Sequence, residues 1–135
     1  MAEAFAGCYG ADVIEPLSAG WAPASIVQPL TIKVMEEKNI HIEDFVPRDL
    51  SKIDVRSIDI IVNMSGRPLP GLPVEIREWK VEDPIGQQEE VYREVRDKLE
   101  HLVMGLILEL RRTARPVKRG PSLRSRLRAE AEPQT

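Results

Sequence analysis

The sequence predicts an α/β fold, a parallel sheet with helices packed on both of its faces. Three observations lead there. Helical and extended patterns alternate along the chain. Ile58-Asp59-Ile60-Ile61-Val62-Asn63-Met64 is an apolar, β-branched run stopped by Ser65-Gly66, the pattern of a strand buried on both faces of a parallel sheet. Last, Val91, Val95, Leu99, Leu102, Val103, Leu106 and Leu110 fall on one face at helical spacing, marking a long amphipathic helix over about 88–112.

The elements follow in order. Met1-Ala2-Glu3-Ala4-Phe5-Ala6-Gly7 reads as a helix without a start, because no Ser, Thr, Asp or Asn cap precedes it. Val13 to Ser18 reads as a short strand entering a Ser18-Ala19-Gly20 turn, and Pro16 suits it to an edge. Pro29 fits the first turn of a helix that runs to about Asn39, a C-terminal stop. Ile40-His41-Ile42 is short and extended, and 50–55 is a brief helix. Pro68 to Pro73 is a loop, and Val74, Ile76 and Trp79 alternate as a last strand.

Composition narrows the class. At 135 residues, with 4% aromatic and 30% charged residues, this is one domain with an aliphatic core. No apolar run approaches the roughly 18 residues of a membrane span, and no secretory signal opens the chain. The lone cysteine cannot form an internal disulfide, which fits a cytoplasmic protein. Residues 111–135 hold eight Lys/Arg against two Glu, a net of +6, whereas residues 1–110 carry −9 of the total −3. Residues 113–135, rich in Pro, Gly, Ser and Arg, read as a disordered basic tail. No aromatic residue interleaves those arginines to stack a base, so nucleic acid is not an expected partner.

Four features carry a resemblance. They are Met-Ala-Glu-Ala-Phe-Ala at 1–6, Ser18-Ala19-Gly20, the apolar strand at 58–64, and Asp83-Pro84 before the long helix. In this order they resemble the low-molecular-weight protein tyrosine phosphatases and their thioredoxin-coupled arsenate reductase relatives. The resemblance covers 1–112 and implies a flavodoxin-like, three-layer fold with a four-stranded parallel sheet. In that family Met-Ala-Glu follows a strand and a Cys-x5-Arg phosphate loop. Here both are missing, and with them the first inner strand of the sheet. The resemblance implies hydrolysis of phosphotyrosine through a phosphocysteine, on a phosphorylated protein or a small phosphomonoester or oxyanion. It implies no cofactor, and it leaves the present chain inactive as written. Either Met1 is an internal methionine of a longer enzyme, or the chain is a non-catalytic binding module.

The resemblance also proposes site residues. Asp83 looks like the family's general acid, which protonates the leaving oxygen and then activates water. Read alone, Asp83-Pro84 simply initiates a turn. Glu3, Ser18 and Asp49 look like positions that brace the phosphate loop or hold a monovalent cation beside it. The bland alternative is a cap, a turn and a surface carboxylate. Val27-Gln28-Pro29 and Val34-Met35-Glu36-Glu37 resemble the arsenate reductase branch, but Met64-Ser65-Gly66-Arg67-Pro68 stands where that branch has its resolving cysteines. That absence favours the phosphatase. Cys8 is followed six positions later by Ile14 rather than arginine and reads as a small, inert, buried residue. His41 and His101 have no histidine or cysteine at ligand spacing, so no metal site is expected.

Overall fold

A computed structural model describes residues 1–20, 27–43, 48–69 and 71–113. The order is α1 (Ala2–Tyr9), α2 (Pro29–Glu36), two 3-10 turns (Leu50–Lys52 and Val55–Ser57), β1 (Ile60–Asn63), β2 (Glu75–Glu78) and α3 (Glu89–Thr113). The expected basic tail beyond residue 113 lies outside the described residues. No described helix is long and apolar enough to cross a membrane.

Local chemistry explains the helix ends. Met1 caps α1 with no side-chain hydrogen bond, as a helix without a start signal requires. Its other end is closed by Arg111, which donates to the Tyr9 carbonyl at 2.8 Å and to both Asp12 carboxylate oxygens at 2.9 Å. A cation at a helix C-terminus satisfies orphan carbonyls and opposes the dipole. Pro29 is the first residue of α2, where its missing N–H costs nothing. The turn after α2 stops at Asn39, whose φ of 59° is a left-handed conformation that asparagine tolerates. The expected helix over 50–55 is instead two 3-10 turns. Asp54 separates them and accepts from the Arg56 amide at 3.0 Å.

The α/β class holds, with a parallel sheet in which Ile60 faces Glu75 and Asn63 faces Glu78. The Trp79 amide donates to the Asn63 carbonyl at 3.0 Å and extends the ladder by one bond. Two expectations fail here. Val13 to Ser18 is not a strand; two residues past it Gly20 makes an isolated parallel bridge with Asp49. A parallel strand needs a neighbour along its whole edge, and among the described residues none lies beside it. Nor is β1 buried on both faces: Ile60, Ile61 and Val62 are half-exposed, and only Asn63 is buried.

The core lies between helices. Both α1 and α2 pack on α3, and Phe5, Val34, Met35 and Ile107 are completely buried. Ile40 and Ile42 close the base of the same cluster, and Trp79 and Val81 pack on it from the end of β2. The buried stripe of α3 runs Tyr92, Val95, Arg96, Leu99, Val103, Ile107. It is turned from the expected face, since Val91, Leu102, Leu106 and Leu110 sit at its half-exposed margins. Close approach of α1 to α3 requires Gly10: a Cβ there would lie 2.7 Å from Cγ1 and 2.8 Å from Cδ1 of Ile107. Ile107 is fully packed and cannot swing aside. Gly10→Ala should therefore cost about 1–3 kcal/mol through overpacking, read as a lower urea midpoint.

Ionic ties sit around this core. Arg96 is buried in α3 and donates to the Val34 carbonyl at 3.0 Å and to Glu37 at 2.6 Å. Glu37 also receives Arg93 through two guanidinium nitrogens at 2.9–3.2 Å. The Arg93 bonds, then those from Arg96, hold the Glu37 carboxyl down at about 2, against an ordinary 4.5. A depressed folded-state pKa stabilises the fold above pH 4.5 and loses that contribution as pH falls from 4.5 toward 2. Glu37→Gln should flatten this part of the acid limb. A thermal midpoint that falls as steeply in the variant as in the wild type over that window would refute the assignment.

Candidate functional site

The loops after β1 and β2 meet at the C-terminal edge of the sheet, where open α/β sheets bind their ligands. They enclose an open groove of about 660 Å³. Met64, Gly66, Arg67 and Pro68 come from the first loop, Trp79 to Glu82 from the second, and Lys98 from α3. The groove pairs an apolar wall of Trp79, Val81 and Pro68 with charges of both signs, Arg67, Lys80 and Lys98 beside Glu78 and Glu82.

Asn63 shapes that edge. Its Nδ2 donates to the Arg67 carbonyl at 2.7 Å and to Glu78 at 3.1 Å. Its Oδ1 accepts from the Ser65 amide at 3.1 Å and the Ser65 hydroxyl at 2.7 Å. A buried amide with both ends satisfied fixes the 64–68 loop, and Gly66 (φ 74°) supplies the left-handed turn. Sequence reasoning passed over Asn63. The signal was present: a polar residue closing an apolar strand, followed by Ser and Gly.

Asp83 follows the groove residue Glu82. It is exposed, and its Oδ1 accepts from the Ile85 amide at 3.0 Å. The Gln87 amide donates to the Pro84 carbonyl at 2.9 Å, and Gly86 takes φ 79°. This is the turn geometry of an Asx motif. The carboxylate is thus engaged by its own turn, one residue past the groove-lining Glu82.

The other three site candidates come together in part. Ser18 donates from Oγ to Glu3 at 3.1 Å, linking the segment after α1 to the first turn of α1. Asp49 meets the same segment through its backbone, by the bridge to Gly20, whose amide donates to the Arg48 carbonyl at 2.9 Å. The Asp49 carboxylate points elsewhere. It accepts from the Ser51 amide at 2.9 Å and the Ser51 hydroxyl at 2.8 Å, and these bonds hold its pKa below the usual aspartate range. The sequence reading missed Arg48, the residue before Asp49: its Nη1 is buried without a hydrogen-bond partner among the described residues. A desolvated guanidinium N–H is a ready donor to an anion. Cys8 needs a correction. It is exposed on α1 rather than buried, because it lies past the buried run Ala4–Ala6, toward the C-terminal end of the helix.

A small parallel sheet packed with helices, a groove at its C-terminal edge and an acidic loop before a long helix define an open α/β protein. The chain belongs to the low molecular weight phosphotyrosine protein phosphatase family, whose family model matches residues 1–116. It is 35% identical over 100 residues to a protein of Halobacterium salinarum named a putative arsenate reductase, covering 73% of this chain and 70% of that one. It is 33% identical over 116 residues to the glutaredoxin arsenate reductase of Synechocystis, covering 82% of this chain and 87% of the relative. Among solved structures it resembles an arsenate reductase in the reduced state, with a TM-score of 0.72, 33% identity, and coverage of 81% of this chain and 86% of that one. These relatives favour the arsenate reductase branch over the phosphatase preferred from the sequence.

Proposed function

We propose that this chain is an arsenate reductase-type member of its family, a scaffold for a tetrahedral oxyanion such as arsenate. The observation that carries the reading is that relatives named arsenate reductases match it over most of their length at 33–35% identity. Two local features support it. The Val27-Gln28-Pro29 and Val34-Met35-Glu36-Glu37 segments resemble that branch, and Arg48, whose backbone carbonyl accepts from the Gly20 amide, has a buried Nη1 with no hydrogen-bond partner among the described residues.

In this reading Glu3, Ser18 and Asp49 brace the anion-binding end of α1 or hold a monovalent cation there, and Asp83 serves as the acid. Reduction of arsenate to arsenite takes two electrons from two thiols, which leave as a disulfide with the arsenate oxygen released as water. Residues 1–135 contain no Cys-x5-Arg loop and no cysteine after β1. Both thiols must then come from outside these residues, and the small oxyanion is the natural partner. A cytoplasmic setting follows from the need for a reducing pool.

A second reading is kept by one observation. Ser65 and Gly66 occupy the loop where a resolving thiol would be needed, which suits hydrolysis of a phosphomonoester with Asp83 as acid. The test is to join the chain in frame to a strand bearing Cys-x5-Arg and assay both reactions. Thiol-dependent arsenate reduction without phosphate release supports the first reading, and phosphomonoester hydrolysis alone overturns it in favour of the second.

A further inference from the structure

The turn after α2 gathers three ligating side chains that the oxyanion reading does not use. Glu36 closes α2, and the chain reverses through Asn39 (φ 59°). Ile40 and Ile42 then point into the core, at 6% and 2% exposure. In an extended segment alternate residues take opposite sides, so His41 and Glu43 project outward together and face Glu36. One ligand atom from each of Glu36, His41 and Glu43 lies within 4.8 Å of the others, and His41 Nδ1 stands 3.9 Å from Glu36 Oε1.

The geometry points to a divalent transition-metal site formed by Glu36, His41 and Glu43, with zinc as the representative ion. One imidazole nitrogen and two carboxylate oxygens are a mixed N/O donor set that suits zinc and its neighbours rather than calcium or magnesium. Around a tetrahedral zinc, with bonds of about 2.0–2.2 Å, ligand atoms stand roughly 3.3 Å apart. The three atoms reach that spacing by rotation of exposed side chains, with no change in the buried Ile40 and Ile42 that anchor the turn. Solvent completes the coordination.

The electrostatics agree with the geometry. The ligand oxygens of Glu36 and Glu43 stand within 4.8 Å of each other, and two negative charges at that separation repel. A divalent cation between two carboxylates removes that repulsion. The sequence reading looked for histidine and cysteine spacing, which His41 lacks. It did not count carboxylates at five and two residues' distance across a reversal of the chain.

The test is titration of the full 135-residue chain with zinc chloride by calorimetry, with Cys8→Ser and His101→Ala as controls for other soft ligands. The proposal expects one zinc per chain, binding unchanged in both controls and weakened more than about tenfold in His41→Ala. Glu43→Gln should weaken it as well. Cobalt(II) should give visible d–d absorption that His41→Ala abolishes, and far-UV circular dichroism should be the same in all variants because the three side chains are exposed. The proposal is overturned by millimolar or weaker binding, or by binding that survives His41→Ala or is lost in Cys8→Ser. Because no catalysis is read, failure here leaves the oxyanion assignment standing, and failure of that assignment leaves this one.

Discussion

The 135-residue chain is expected to give background rates with p-nitrophenyl phosphate and with arsenate plus thiols, and Cys8→Ser is expected to change nothing. The reaction types of this family need a thiolate at the point where the anion is held, and only a thiolate or an equivalent nucleophile opens the covalent route. Cys8 cannot serve. It lies exposed in the last turns of α1, and Ile14 stands where an anion-binding arginine would be needed. Removing the nucleophile of a covalent hydrolase costs on the order of 10⁶ in turnover. Supplying the strand and Cys-x5-Arg segment in frame should recover activity by several orders of magnitude. In that extended protein Asp83→Asn should remove about 10²–10⁴ of it at neutral pH, the usual worth of a positioned general acid. Vanadate-sensitive turnover by the 135-residue chain alone, abolished by Asp83→Asn, would falsify this account.

The second large effect is on stability. Phe5→Ala should cost about 3–5 kcal/mol in equilibrium urea unfolding. Phe5 has no exposed surface, and its ring stacks on Tyr9 with centroids 5.8 Å apart and planes at 21°. Tyr9 beside it is held by its hydroxyl bond to Glu100, so truncation of Phe5 leaves a cavity between α1 and α3. The loss compares with a total stability of roughly 5–15 kcal/mol. Leu108→Ala is the natural control, because Leu108 is 48% exposed on α3 and its loss should stay within about 0.5 kcal/mol. Equal effects from the two substitutions would show that α1 does not pack on α3 as described.

The sequence was most legible where a local rule and the tertiary structure agree. Pro29 and Asn39 bracket α2 because each has a backbone preference that acts before any packing does. The apolar run at 58–64 and the alternation at 74–79 located β1 and β2, since β-branched residues suit a pleated surface. What failed depended on neighbours. Val13 to Ser18 has strand-like residues, but a strand is a property of a pair, and the partner is not written in the segment. The face of α3 was misjudged because Arg96 belongs to the buried stripe. Its guanidinium is paired with Glu37 and the Val34 carbonyl, 59 and 62 residues away in sequence, and no helical wheel displays such a pairing. The resemblance singled out Glu3, Ser18 and Asp49 as loop-bracing or cation-holding positions, but the Ser18–Glu3 hydrogen bond itself was not legible in the sequence. Asn63 and Arg48 carry their meaning in hydrogen bonds, made or unmade, which a one-dimensional pattern does not show.

Glu100, in the middle of α3, accepts from Tyr9 on α1 at 3.0 Å and from Lys38 just past α2 at 3.2 Å. A single carboxylate thus fastens two segments made early in synthesis to one made late. As the protein leaves the ribosome, α1 and α2 emerge as short helices of eight residues each, too short to persist alone in water. They have nothing to rest on until α3 has been made as far as Ile107. The apolar faces of α1 and α2 therefore stay uncovered until α3 follows them out, and the packing of the three helices is gained together rather than one helix at a time.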